Sequence, residues 1–302
     1  MTNNAKIGVN LVFAAPLILA DDFSGACDAA ARAGVYSSAA LLDPSAAAET
    51  DLVAFSTETR HASPEEARAR LRSWQPFLAG RPLYKKIDST LRGPWIDEVD
   101  ELLHITDYSQ AVVCPAFPAL GRTVRNGWLR VDDQPVQKIT CPFTVRDASS
   151  EDDLASIAAE ICSSILPVGS AGLALHVFRR LARSASIPLA PSPGPWLVLV
   201  GSDHPASQAQ LQFLRNARLP DVLINPGADP PAPAGIFATG GETAARFLRR
   251  AGARGITSLR ELLPGVPAGL LIGGRYNGAV MITKAGSFGS PDTLLRALGL
   301  FR

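Results

Sequence analysis

Lysine is scarce in this chain: of 29 basic residues only Lys6, Lys85, Lys86, Lys138 and Lys284 are lysine. Acidic residues number 28, so the formal net charge is +1. No strong field therefore favours nucleic acid or an acidic membrane surface, and neither is expected as a partner. Histidine and cysteine are equally sparse, four of each, and scattered. Cys27, Cys114, Cys141 and Cys162 show no paired metal spacing, so no protein-bound metal is expected. Reduced thiols in a cytoplasmic location are the simpler reading. Long apolar runs are missing too; nothing approaches the ~20 residues needed to span a bilayer. The apolar stretch from Ile7 to Ala20 is broken by Gly8, Asn10 and Pro16 and ends in Asp21-Asp22. A secretory signal is a poor fit to that ending. The chain also lacks G-x-x-x-x-G-K-[ST], G-x-G-x-x-G and a G-x-S-x-G elbow around Ser170 or Ser202. The commonest nucleotide fingerprints and the nucleophile elbow are thereby excluded.

What is present is 302 residues at 47% hydrophobic content, enough for two domains. Short apolar runs alternate with helical patterns. Leu17 to Ala20, Asp51 to Ser56, Leu83-Tyr84 and Ala111 to Cys114 read as strands. Ser24 to Gly34 reads as a helix. Ser63-Pro64-Glu65-Glu66 is a helix start, with a capping serine, proline at the first position and acids in the first turn. Asp152 to Leu166 reads as a helix, followed by another over Leu173 to Ala185. Pro188 to Pro195 holds four prolines and marks a linker. Beyond it, Leu197 to Val200, Leu270 to Gly273 and Val280 to Thr283 read as strands, and Pro205 to Asn216 and Ala244 to Ala251 as helices. The fold class expected is α/β, with two domains, 1–190 and 191–302, each a mostly parallel sheet flanked by helices.

Polar clusters stand where the buried strands end. Asp21-Asp22-Phe23-Ser24-Gly25 follows the first strand, Thr57-Glu58-Thr59-Arg60 the second, and Lys85 to Gly93 the third. Charge at such positions is costly unless paired, and strand ends of open α/β sheets are where ligands bind. Asp21 or Asp22 could accept a proton from an alcohol, or both could simply cap the next helix. Arg92 and Arg60 could clamp a carboxylate, with Lys86, Asp88, Ser89 and Ser24 completing a pocket, or Asp88 and Arg92 could form an internal ion pair. In the second half, Gly240, Gly241, Glu242 and Thr243 open a helix, where backbone amides suit phosphate. Lys284, Gly286 and Gly289 add a point charge and a flexible loop.

In this order the clusters resemble the four-carbon acid sugar kinase family. The resemblance runs through Ala20 to Ala26, Thr57 to Arg60, Lys85 to Gly93, Pro115 to Pro118 with Gly121-Arg122-Thr123, Gly169 to Ala174, Gly240 to Thr243 and Lys284 to Gly289. It implies a sugar-acid-binding first domain and an ATP-binding second domain, with phosphate transferred to a hydroxyl of an acid such as threonate, erythronate or an oxo-tetronate. Asp21, Asp22 and Lys284 would serve the chemistry. Mg²⁺ would be held mainly by phosphate oxygens and water, and a homodimer is compatible with the resemblance. Closure between the domains would exclude water. Ser24 stands where the family usually has Thr, and Glu242 where it has Asp. Ile224 and Gly235 are separated by ten residues where the family has more sheet and helix. The alternative is a sugar-acid-binding or regulatory protein that has lost ATP use. A dehydrogenase-like enzyme ranks third.

Overall fold

The computed structural model of the protein describes residues 15–34, 38–42, 50–179, 181 and 188–301. Most of the apolar stretch Ile7 to Ala20, and the end of the helix expected over Leu173 to Ala185, lie outside the described residues. The first half contains β1 (Leu17–Ala20), α1 (Phe23–Arg32), β2 (Ser38–Leu41), β3 (Leu52–Ser56), α2 (Pro64–Leu78), β4 (Leu83–Lys86), α3 (Trp95–Ile105), β5 (Gln110–Cys114), β6 (Arg122–Arg125), β7 (Trp128–Val131), β8 (Gln134–Lys138), β9 (Thr144–Val145), α4 (Glu151–Glu160), β10 (Ile165–Gly169) and α5 (Ala171–Val177). The second contains β11 (Trp196–Val200), α6 (Pro205–Asn216), β12 (Val222–Ile224), β13 (Gly235–Thr239), α7 (Gly241–Ala251), β14 (Gly255–Leu263), β15 (Val266–Ile272), β16 (Val280–Lys284) and α8 (Thr293–Gly299).

Each half is an α/β domain with a mostly parallel sheet, as the alternating pattern requires. Parallel strands covered on both faces read as continuous apolar runs, and β1 and β3 are buried along their whole length. The two sheets are joined edge to edge into one 13-stranded sheet, in the order β12-β11-β13-β16-β15-β14-β2-β3-β1-β4-β10-β5-β9. The seam is antiparallel: β14 pairs with β2 and with β15, and β15 with β16. The two parallel blocks consequently run in opposite senses. Residues that follow strands of both blocks nevertheless line one cleft.

Helix α1 packs against elements of both halves. Its sequence, FSGACDAAAR, is almost all small residues, and every residue from Phe23 to Ala31 is buried. Low side-chain volume lets α1 lie against β3, β14, α5 and α7 together. One hydrophobic core therefore runs through both halves, from Leu19 and Val113 to Phe247 and Met281. A smaller core, including Trp196, Phe237 and Leu294, lies in the second half alone.

Three readings are corrected. The helix expected over Leu173 to Ala185 begins at Ala171 and ends at Val177, with Phe178 as its C-cap. Residues 161–166 do not continue the helix from Asp152: α4 ends at Glu160, and Ile165–Gly169 is a central strand between β4 and β5. An apolar run this short has no periodicity of its own to distinguish it from a helix end. The strand expected from Leu270 begins at Val266, as half of the β14–β15 hairpin. No described helix is long and apolar enough to cross a membrane.

Candidate active site

The turn from β1 into α1 forms the floor of the cleft. Asp22 is the N-cap of α1, and its Oδ1 accepts the Gly25 amide at 2.7 Å. Its Oδ2 accepts Ser24 Oγ and Arg60 Nη1, each at 2.8 Å. Arg60 reaches this turn because its loop is strapped to it: the Thr59 and Arg60 amides donate to the Asp21 carbonyl. Its Nε and Nη2 grip Asp21 Oδ2 and Oδ1, each at 2.8 Å. Burial alone would push the Asp21 carboxyl up. The Arg60 guanidinium, helped by Lys86 and Lys85, outweighs it and holds the group below its ordinary value.

A second ion pair stands beside the first. Arg92 Nε and Nη2 contact Asp88 Oδ2 and Oδ1 at 2.9 and 2.7 Å. The internal pairing considered for this cluster is what forms. Asp88 is buried, whereas the Arg92 side chain is 45% exposed and lines the cleft. Lys85 is a structural cation, in a fully buried 2.9 Å pair with Glu98, which also accepts Thr59 Oγ1. Lys86 Nζ donates to the Ile87 carbonyl under Gly25. A Cβ at Gly25 would stand 2.6 Å from Asp22 Oδ1 and 3.2 Å from that nitrogen, so any side chain there would displace the Asp22 carboxylate from its cap.

The opposite wall comes from the second half. Gly240, with φ 96, turns the chain from β13 into α7. The start of α7, with its free amides, thereby lies beside the Asp22 turn: a Cβ at Gly241 would meet the side chains of both Asp22 and Ser24. Gly201-Ser202 follows β11, and Ala285-Gly286-Ser287 follows β16. Ser202 packs against Gly286, and Ser287 Oγ is shielded from water without a hydrogen-bond partner. The resulting cleft holds about 390 Å³. This falls within the ~300–1,000 Å³ of small-molecule sites.

Ten of the expected site residues line that cleft: Asp21, Asp22, Ser24, Arg60 and Arg92 on one side, and Gly240, Gly241, Glu242, Thr243 and Gly286 on the other. Lys86, Asp88 and Ser89 are buried behind the first wall. Lys284 is buried at the end of β16, where Nζ donates to the Ala285 and Phe288 carbonyls at 2.6 and 2.8 Å. Burial drives its pKa down to about 7. It shapes the loop and does not line the cleft. Gly289, with φ 88, packs on Thr293 away from it. The cleft also includes Glu58, His61, Ser202, His204 and Ser287. Glu58 lies in the Thr57 to Arg60 cluster already placed at a strand end but was not singled out within it, and the same strand-end rule applied after Val200 would have found Ser202.

Among the described residues no group of three or more His, Cys, Asp or Glu is placed to hold a metal. The loop between Ile224 and Gly235 is short but anchored. Asn225 bonds both polar backbone groups of Val200, Asp229 pairs with Arg250, and the Pro230 carbonyl accepts the Tyr276 hydroxyl.

Residues 17–142 match the model of a sugar-binding N-terminal domain, and residues 222–294 that of a nucleotide-binding C-terminal domain. A D-threonate kinase from Bordetella bronchiseptica is 30% identical over 399 aligned positions, covering 94% of this chain and 97% of that protein. A D-threonate kinase from Cupriavidus necator is 31% identical, covering 93% and 96%. Both alignments are longer than the 302 residues of this chain, so the relatives carry segments it lacks. The crystal structure of a Haemophilus influenzae protein superposes with a TM-score of 0.64 at 18% identity, covering 95% of this chain and all of that one, which shows a shared fold.

Proposed function

Given that the chain belongs to the four-carbon acid sugar kinase family, we propose that it transfers the γ-phosphate of ATP to a hydroxyl of a four-carbon sugar acid. The observation carrying this reading is the single cleft in which the Asp22–Arg60 turn meets the amino end of α7. The acid lies on the first wall, its carboxylate toward the exposed part of Arg92, its hydroxyls toward Ser24 and the Asp21–Arg60–Asp22 triad. Because the carboxylates of that triad are held by Arg60, it positions the substrate as a rigid polar surface. The phosphates lie at Gly240–Thr243 and Ser287, where backbone amides stabilise charge on the moving phosphoryl group. Lys284 supports this by holding the Ala285–Phe288 loop. Mg²⁺ would enter as part of the nucleotide, held by phosphate oxygens and water.

A coupled assay of ADP release over a panel of four-carbon acids tests the proposal. Turnover of at least one acid is expected. Folded protein that turns over none of them overturns it. The anchored, helix-free loop over residues 225–234 favours a second reading, a sugar-acid-binding protein without ATP use. Calorimetry separates the two, since only the kinase binds acid and nucleotide together.

A further inference from the structure

We propose that Glu58 is the general base of this reaction, taking the proton of the acceptor hydroxyl as that oxygen attacks the γ-phosphorus. The inference rests on the kinase reading above. The O–H bond breaks toward a Glu58 carboxylate oxygen while the new O–P bond forms. The bond from the γ-phosphorus to the β,γ-bridging oxygen breaks, and its electron pair leaves with ADP. Glu58 returns its proton to water after the products depart.

The argument begins with the other carboxylates of the cleft. Asp21 is engaged on both oxygens by Arg60, and Asp22 by Arg60, Ser24 and the Gly25 amide. An anion stabilised this fully is a weak base. Glu242 is bonded to Arg246 on the outer side of α7. Glu58 differs, because among the described residues it has no ion pair. Its carboxylate accepts the Ser56 hydroxyl and sits by the Phe23 amide at the start of α1.

The backbone supports a dedicated role. Glu58 has φ 53, a left-handed conformation that a long side chain rarely adopts without compensation. Arg70 supplies that compensation by donating to the Thr57 and Glu58 carbonyls, while the Glu58 amide bonds Ser56 Oγ at 3.2 Å. The strained turn places Glu58 on the cleft wall, between the Asp22 turn and α7.

The charged groups around it are Asp22 from α1, Arg249 from α7, and Arg60 and His61 from its own loop. Burial pushes the Glu58 carboxyl up from its ordinary value, and Asp22 adds to this. A carboxylate whose pKa is raised in this way is a stronger base than a free one.

Kinetics of wild type, Glu58→Gln and Glu58→Asp, with calorimetry of sugar-acid binding, test the proposal. Glu58→Gln should lower kcat by about 100-fold or more, in the range of general-base losses. Its acid Kd should stay within about threefold, and the acidic limb of the kcat–pH profile should vanish. Glu58→Asp should retain that limb at reduced rate. Unchanged kcat in Glu58→Gln overturns the role, as does an activity loss matched by an equal loss of acid affinity with the pH profile intact. A wild-type protein inert toward every acid overturns the kinase reading itself, and is told apart because the wild type, not the variant, fails.

Discussion

Gly241 lies directly against the Asp22 carboxylate. A Cβ at Gly241 would come within 3.0 Å of Asp22 Cγ and closer still to Oδ2. The two halves of the protein thus meet at a glycine and a helix-capping acid. Gly241→Ala should lower kcat/KM at least about tenfold while leaving the melting temperature nearly unchanged, since alanine is the better helix former by up to ~1 kcal/mol. Steady-state kinetics and a thermal melt check both parts. Unaltered kinetics would mean that the spacing at this contact is not used.

Arg60 pairs with two acids from a side chain only 8% exposed. Removing it leaves the buried Asp21 without its partner. Arg60→Met should cost about 3–5 kcal/mol in urea unfolding, as for other broken buried pairs. Adding Asp21→Asn should recover part of that loss. A double variant no more stable than Arg60→Met would show that Asp21 is not the source of the cost.

Asp28 is buried within α1 with one carboxylate oxygen unpartnered, and burial pushes its pKa up to about 7 from 3.8. Between those values the folded state holds a proton that the unfolded chain has released. Stability therefore falls as pH rises from about 4 to about 7. Asp28→Asn should flatten that segment of the stability–pH curve and stabilise the protein at pH 8 by a few kcal/mol on the order-of-magnitude linkage argument. Parallel wild-type and variant slopes would remove Asp28 as the cause.

Lys284 ties two carbonyls of the Ala285–Phe288 loop. Lys284→Ala should raise the KM for ATP several-fold and leave sugar-acid affinity within about twofold. The opposite pattern would assign the two walls the wrong ligands.

The sequence was most legible where local chemistry decides structure. Ser63 caps α2 as expected, completing a capping box with Glu66, and the four-residue apolar run Leu17 to Ala20 became a fully buried strand. The strand-end clusters did converge on one cleft. Partnering inside the clusters was hidden, because nothing in the spacing of Asp21, Asp22 and Arg60 says that one guanidinium will serve both acids. The seam was also hidden. Strand β14 breaks its pairing register between Thr257 and Arg260, with Ser258 at φ 53, so its alternation is not readable as a strand.

That irregular seam also governs motion. Backbone hydrogen bonds run without interruption from β3 through β2, β14 and β15 to β16. The walls of the cleft cannot separate as hinged bodies without breaking this ladder, so the gap between them changes through torsion of the sheet. The local twist at Ser258 is then a mechanical setting. It bears on how far the start of α7 stands from the Asp22 turn, although Ser258 does not itself line the cleft between them.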